Sequence, residues 1–387
     1  MLFKQLSRTL ICGLMLITAS VEWLPDTTLH AASMKAREEV SVSSGLLLSV
    51  KTSPSAQYED HITISDPDII DAVKRPKWQP LPTASFSSSI EVPRFTDLFV
   101  VGQGMQLRLD SNSRLWDERQ MKMLTISDKS AAKLNKSAAA LREKHYGHLL
   151  DWQEAEKLFS RKAVFVIKDI ETGLSFRVQR RAGHDHADVQ PVTKDDTEIM
   201  KQIFNNGWTW DRKAIIAEKD GKQIAASMNG MPHGGDGIPG NGMSGHFCVH
   251  FLNSSTHKSE TPDLPHQLMV YKAAGKLRSY FDDATPFRLA QSLIEALHHD
   301  EFEMVRLLTE GLPIEQTEAL LQQKQDWRHI RKKDGRELPQ EEPWQSEVQM
   351  ETETLHASRG KRLVYFHSRY VRTSPISPWE LKELTVS

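Results

Sequence analysis

The chain of 387 residues is long enough for two or three modules with cores of their own. Its 49 basic and 51 acidic side chains leave a net charge of −2, which argues against a surface that grips nucleic acid by general basicity. Two cysteines, Cys12 and Cys248, are too few for an internal disulfide framework.

In chain order, Lys4 and Arg8 precede an apolar stretch over residues 10–19, and small residues follow at Ala31, Ala32 and Ser33. This order predicts a secretory signal peptide over residues 1–32, removed together with Cys12, and therefore a secreted or cell-envelope, extracytoplasmic protein. The residue before Cys12 is the bulky Ile11, which does not suit a lipoprotein cleavage site. If uncleaved, the same stretch is a membrane tether, although it falls short of the roughly 20 apolar residues of a spanning helix.

Residues 33–89 are rich in Ser and Thr and are interrupted by Pro54, Pro67, Pro76, Pro80 and Pro82, so they predict a linker or irregular segment with some short strands. Residues 90–158 predict a small β-rich unit plus a connecting helix: β-type runs at 95–101 and 105–109 meet at Gly102-Gln103-Gly104, and residues 131–157 carry helical spacing. Residues 159–280 predict a β-rich domain. Its hairpins turn at Thr172-Gly173 and Asp220-Gly221, a helix starts at Thr193, and a glycine-rich loop over 230–245 leads into the run around Cys248. Residues 285–387 predict an α+β accessory domain, in which apolar helices near 287–297 and 302–308 precede β-type runs at 348–355 and 362–371. By order of elements alone that last block resembles the small cone-shaped domains of the nuclear-transport-factor type. The fold class expected is mostly β with α+β.

The chemistry concentrates in residues 159–280. Cys248 stands between His246 and His250, so a strand there places both imidazoles on the face of the sulfur. A neighbouring imidazole takes the thiol proton and stabilises the thiolate, which is what a cysteine nucleophile needs at neutral pH. Upstream lie His233-Gly234 and the cluster His184-Asp185-His186-Ala187-Asp188. Exposed aromatic faces suit the apolar side of a sugar ring, and Trp208 and Trp210 are candidates for such stacking.

His233-Gly234, the glycine-containing loop and the segment Gly245-His246-Phe247-Cys248-Val249-His250 together resemble an L,D-transpeptidase catalytic domain, the cysteine enzyme of peptidoglycan cross-linking, over about residues 160–270. The resemblance implies Cys248 as nucleophile on a peptidoglycan stem peptide, His246 as general base and His233 near the acyl oxygen. It also implies a substrate-binding set of Gly234, His250 and Trp210, and no cofactor. The sequence departs from the family pattern at Gly245 in place of Ser, Phe247 in place of Gly and His250 in place of Arg.

A zinc peptidase of peptidoglycan is the rival reading. His184 and Asp188 have His-x-x-x-Asp spacing, His186 lies between them, and Cys248, His246, His250 or His233 would complete a tetrahedral zinc site with an open water position. A third class is a non-catalytic cell-wall-binding scaffold. The partners expected throughout are peptidoglycan stem peptides rather than nucleic acid.

Overall fold

The computed structural model describes residues 45–80, 93–120, 122–235, 237–256, 261–339 and 342–387. The expected signal peptide with Cys12, the first part of the expected linker and residues 81–92 lie outside the described residues. Among the described residues no helix is long and apolar enough to cross a membrane.

The segment expected as linker instead builds an edge of the first sheet. Strand β1 (Leu46–Val50) pairs antiparallel with β2 (Asp60–Ile64) and with β4 (Phe95–Gly102). Its Leu46, Leu48 and Val50 are buried, an apolar alternation hidden by the Ser and Pro around it. Pro67 breaks nothing, because it occupies the first turn of helix α1 (Pro67–Lys74), where an amide donor is not needed. The strands β3 (Gln79–Pro80), β5 (Met105–Asp110), β6 (Arg114–Asp117) and β7 (Lys122–Thr125) complete seven strands in the order β2-β1-β4-β5-β6-β7-β3. The hairpin expected at Gly102-Gln103-Gly104 joins β4 to β5.

The helical stretch expected over 131–157 divides into α2 (Asp128–His145) and α3 (Trp152–Leu158). Gly147 lies at the break, where an added Cβ would come within 2.4 Å of the Ala225 amide nitrogen. The chain there runs against a strand of the next module, too close for a helix to continue.

That module is a closed six-stranded antiparallel barrel. Strands β8 (Val164–Asp169), β9 (Ser175–Ala182), β10 (Ala187–Pro191), β11 (Arg212–Lys219), β12 (Lys222–Asn229) and β13 (Phe247–His250) run β10-β13-β12-β11-β8-β9, and β9 closes back on β10. Asp220 and Gly221, with φ of 52° and 74°, make the tight β11–β12 turn that the sequence announces. Helix α4 (Lys194–Ile203) starts in a capping box between Thr193 and Asp196. The barrel interior is one apolar cluster including Val178, Val189, Ile215, Ala226, Phe247 and Val249.

Five helices follow: α5 (Leu264–Ala273), α6 (Leu277–Asp282), α7 (Pro286–His298), α8 (Phe302–Leu308) and α9 (Ile314–Lys324). A four-stranded antiparallel sheet in sequence order ends the chain, with β14 (Trp327–Glu337), β15 (Gln345–His356), β16 (Gly360–Val371) and β17 (Glu380–Val386). Helix α9 and strand β14 fall in a charge-rich stretch, anchored only at sparse buried positions such as Leu320, Leu321, Trp327 and Ile330. A second apolar cluster runs from β1 and β4 through α5 and α7 to Met350 and Phe366. Residues 45–387 thus form one packed unit with no break near the expected boundaries at 158 and 285.

Lys272 on α5 ties three parts of this unit together. Its ammonium lies 2.8 Å from Glu171 in the β8–β9 turn and 2.6 Å from Glu301 before α8. Glu171 in turn accepts hydrogen bonds from Thr52 at 3.0 Å and Ser53 at 2.9 Å. Burial works against the Lys272 charge, yet the two carboxylates outweigh it and hold the ammonium well above its ordinary range. Lys272→Ala leaves two carboxylates without their counter-charge, and we expect a loss of about 3–5 kcal/mol in chemical denaturation.

A different buried group sets an acid limit. The His298 ring lies 4.4 Å from His299 and 4.6 Å from His329, and burial followed by those two neighbours lowers its pKa from 6.5 to about 4. Between those two values the unfolded chain binds the proton and the fold does not, so stability falls as pH drops through that window. Melting temperatures from pH 7 to pH 4 should decline, and His298→Gln should flatten the decline.

Candidate active site

Because Phe247 and Val249 point into the barrel, strand alternation sends Cys248 and His250 to its outer face. Barrel closure supplies their neighbours. Asp188 on β10 is the register partner of Cys248, and Ser227 on β12 is the partner of His250. The Asp188 carboxylate lies 3.9 Å from the sulfur and 3.1 Å from His186 Nε2. Cys248 is the free thiol, only 5% exposed.

The glycine loop brings a second imidazole from the solvent side. His233 and His246 face each other across an isolated antiparallel bridge, exchanging backbone hydrogen bonds of 2.8 and 2.7 Å. That bridge pins the two ends of the loop together. It also dictates the flanking glycines: at Gly245, φ 86°, a Cβ would lie 2.4 Å from the His233 carbonyl oxygen, and at Gly234, φ 73°, 2.3 Å from the His246 ring. The Gln190 side chain holds the loop from below, donating to the Gly245 carbonyl and accepting from the Ile238 amide at 2.7 Å.

The result places His233 Nε2 3.3 Å from Cys248 Sγ. His233 Nδ1 donates to the Met231 carbonyl at 2.9 Å, which fixes the ring so that Nε2 is the nitrogen facing sulfur. His246, expected as the base, instead has its Nε2 3.7 Å from Asp188, and its ring packs edge-on against His233 at 4.6 Å. Hence the imidazole within hydrogen-bond reach of the sulfur on the open side is His233.

Beneath the sulfur lies a buried polar layer that includes His186 and His250 of the rival metal set. His186 Nδ1 donates to the Ser255 carbonyl at 2.9 Å, and His250 Nδ1 meets the Ser254 hydroxyl at 3.1 Å. The rings of His186, His250 and His266 stack in series at 4.5 and 3.8 Å, and His266 on α5 bonds Ser227 at 2.8 Å. His250 is therefore covered, behind the sulfur, and in no position to hold a substrate carboxylate as expected. His184 also leaves the expected set, with a side chain 96% exposed and bonded to its neighbour Asp185 at 2.8 Å.

Electrostatics sort these rings. For His186, burial opposes the charge, but hydrogen bonds to Asp188 and Cys248 prevail and raise its pKa to about 10. Burial pushes the Cys248 thiol up, and His186 and His233 together bring it below its ordinary value. The hydrogen bond to Cys248 raises His233, while complete burial and then His250 drive His266 well below 6.5, so it stays neutral.

Two further expectations resolve here. The Phe247 ring is buried in the barrel, 6.2 Å from Phe176, so it fills the core and leaves the face of the sulfur clear. Trp210 is 52% exposed and its ring lies 5.1 Å from His233, at the open side of the site, whereas Trp208 stacks with Lys201 at 5.3 Å. A cleft of about 420 Å³ elsewhere, near Arg108, Lys272 and Arg278, is a seam of ion pairs to Glu303, Glu301 and Glu310.

Compared with family models, curated proteins and solved structures, the chain matches none.

Gly245→Ala has no room for its methyl group and should displace His233 from the sulfur. Iodoacetamide alkylation of Cys248 at neutral pH is expected to slow on the order of 10- to 100-fold, with far-UV circular dichroism retained.

Proposed function

We propose that this is an exported cell-envelope protein whose barrel performs cysteine acyl transfer on peptidoglycan stem peptides, as a divergent L,D-transpeptidase-like transpeptidase or carboxypeptidase. The observation that carries the reading is the 3.3 Å approach of an oriented imidazole, His233, to a buried thiol at the mouth of a glycine loop. The leader over residues 1–32 supplies the compartment, and the order His-Gly, loop, His-x-Cys supplies the likeness. A cone-like C-terminal domain belongs to the same proposal and has no chemical role in it.

In this reading the base is His233 rather than His246. Nε2 of His233 takes the thiol proton, and the sulfur adds to the stem-peptide carbonyl to give a tetrahedral oxyanion. Collapse breaks the C–N bond, the imidazolium returns its proton to the leaving amine, and a thioester remains on Cys248. An acceptor amine or water then attacks the thioester, losing its proton to His233 as the thiol is released. His186, paired with Asp188, holds the thiolate from below and has no proton to move in this cycle. Trp210 offers an exposed aromatic wall where the substrate would arrive.

Incubation of the mature protein with isolated muropeptides, followed by mass spectrometry, tests this directly. Product formation should vanish in Cys248→Ala, and His233→Ala should retain a rate lower by about 10²–10⁴. Unchanged turnover in Cys248→Ala would refute the reading.

A further inference from the structure

The groups beneath Cys248 are more than a support for a thiolate. The ligating atoms of His186, Cys248 and His250 all lie within 4.8 Å of one another, and all three residues are buried. Ligand atoms of a tetrahedral zinc site stand roughly 3.3–3.8 Å apart, given metal–ligand bonds of about 2.0–2.3 Å. Contraction by about 1 Å therefore closes the group around a cation. Asp188 Oδ1, 3.1 Å from His186 Nε2 and 3.9 Å from the sulfur, flanks this three-ligand group without belonging to it.

The second observation is the way the two rings are held. His186 Nδ1 bonds the carbonyl of Ser255 and His250 Nδ1 the hydroxyl of Ser254, adjacent residues of one turn after β13. Metal-binding histidines are oriented in this way, through a hydrogen bond at the nitrogen that does not ligate. A nucleophilic cysteine needs one such imidazole; this one is met by two from the covered side, and a third, His233, from the open side.

We propose that His186, Cys248 and His250 form a three-ligand binding site for a borderline-soft divalent cation, Zn²⁺, and that its occupancy reversibly masks the Cys248 thiol. Binding places the cation where the sulfur proton and the Nε2 proton of His186 sit, so both protons pass to solvent, with no change of oxidation state. The cation enters past His233 and His246, the partly exposed rings at the mouth. Zn²⁺ here inhibits the sulfur chemistry, because the metal bond occupies the sulfur lone pair that attack on a carbonyl needs. The masking rests on the acyl-transfer reading for its consequence; the cation site does not.

The test uses the metal alone. Zn²⁺ titrated into the chelator-stripped mature protein, with a chromophoric competitor, should give one site per chain that Cys248→Ser abolishes. Saturating Zn²⁺ should suppress iodoacetamide alkylation of Cys248, and EDTA should restore it. Ser254→Ala, which removes an outer partner and no ligand, should weaken binding by about 10- to 100-fold; His184→Ala should leave it unchanged. No saturable binding by a thiol that still alkylates rapidly would overturn the cation site while leaving acyl transfer intact. Binding that survives Cys248→Ser, or that leaves alkylation unslowed, would also overturn it. Tight zinc binding to a protein with no muropeptide turnover would uphold the site and remove the acyl-transfer reading.

Discussion

Everything at the sulfur depends on one strand pairing, the closure of the barrel between residues 187–189 and 247–249. That pairing puts Asp188 directly opposite Cys248 and, through the period of two, sends Phe247 and Val249 inward while Cys248 and His250 face out. A slip of one residue would bury the thiol in the apolar interior and expose the phenylalanine. The apolar filling of the barrel thus fixes the chemistry on its outer surface, without any of the core side chains touching it.

Around that fixed strand, the protein solves two problems of charge. Asp188, His186 and the Cys248 sulfur share a poorly solvated layer, where burial opposes charge and their mutual hydrogen bonds offset it. One step further in, His266 has no carboxylate and stays neutral. The stack His186, His250, His266 therefore passes from charged to uncharged over two ring contacts, with the sulfur at the charged end. His233 completes the site from outside, positioned by two backbone hydrogen bonds to His246, two glycines too crowded to carry a side chain, and the Gln190 side chain beneath the loop.

The sequence discloses this unevenly. Hairpins with a strong turn, such as Asp220-Gly221, and the capped helix at Thr193 are local matters and could be read directly. Cys248, His233 and Trp210 were also recognisable as candidates, because residue type and spacing point to their chemistry. What could not be read was direction. The choice between His233 and His246 depends on a bridge between residues 13 apart in sequence, and the covering of His250 depends on α5, whose His266 carries no motif. In residues 45–80 short strands were expected but neither their place in a packed sheet nor the helix at Pro67: the buried alternation is short, and proline at a helix start looks in sequence like a breaker.

The central claim is that His233 activates Cys248, and comparing alkylation rates of the native chain and His233→Ala tests it most directly. Both proteins would be treated with iodoacetamide at pH 7 in chelator, with His246→Ala as the parallel variant. A large fall in rate for His233→Ala, with a much smaller one for His246→Ala, is the expected result. Equal rates in the native chain and His233→Ala would mean that the 3.3 Å contact is packing, and that the thiol has no base on its open side.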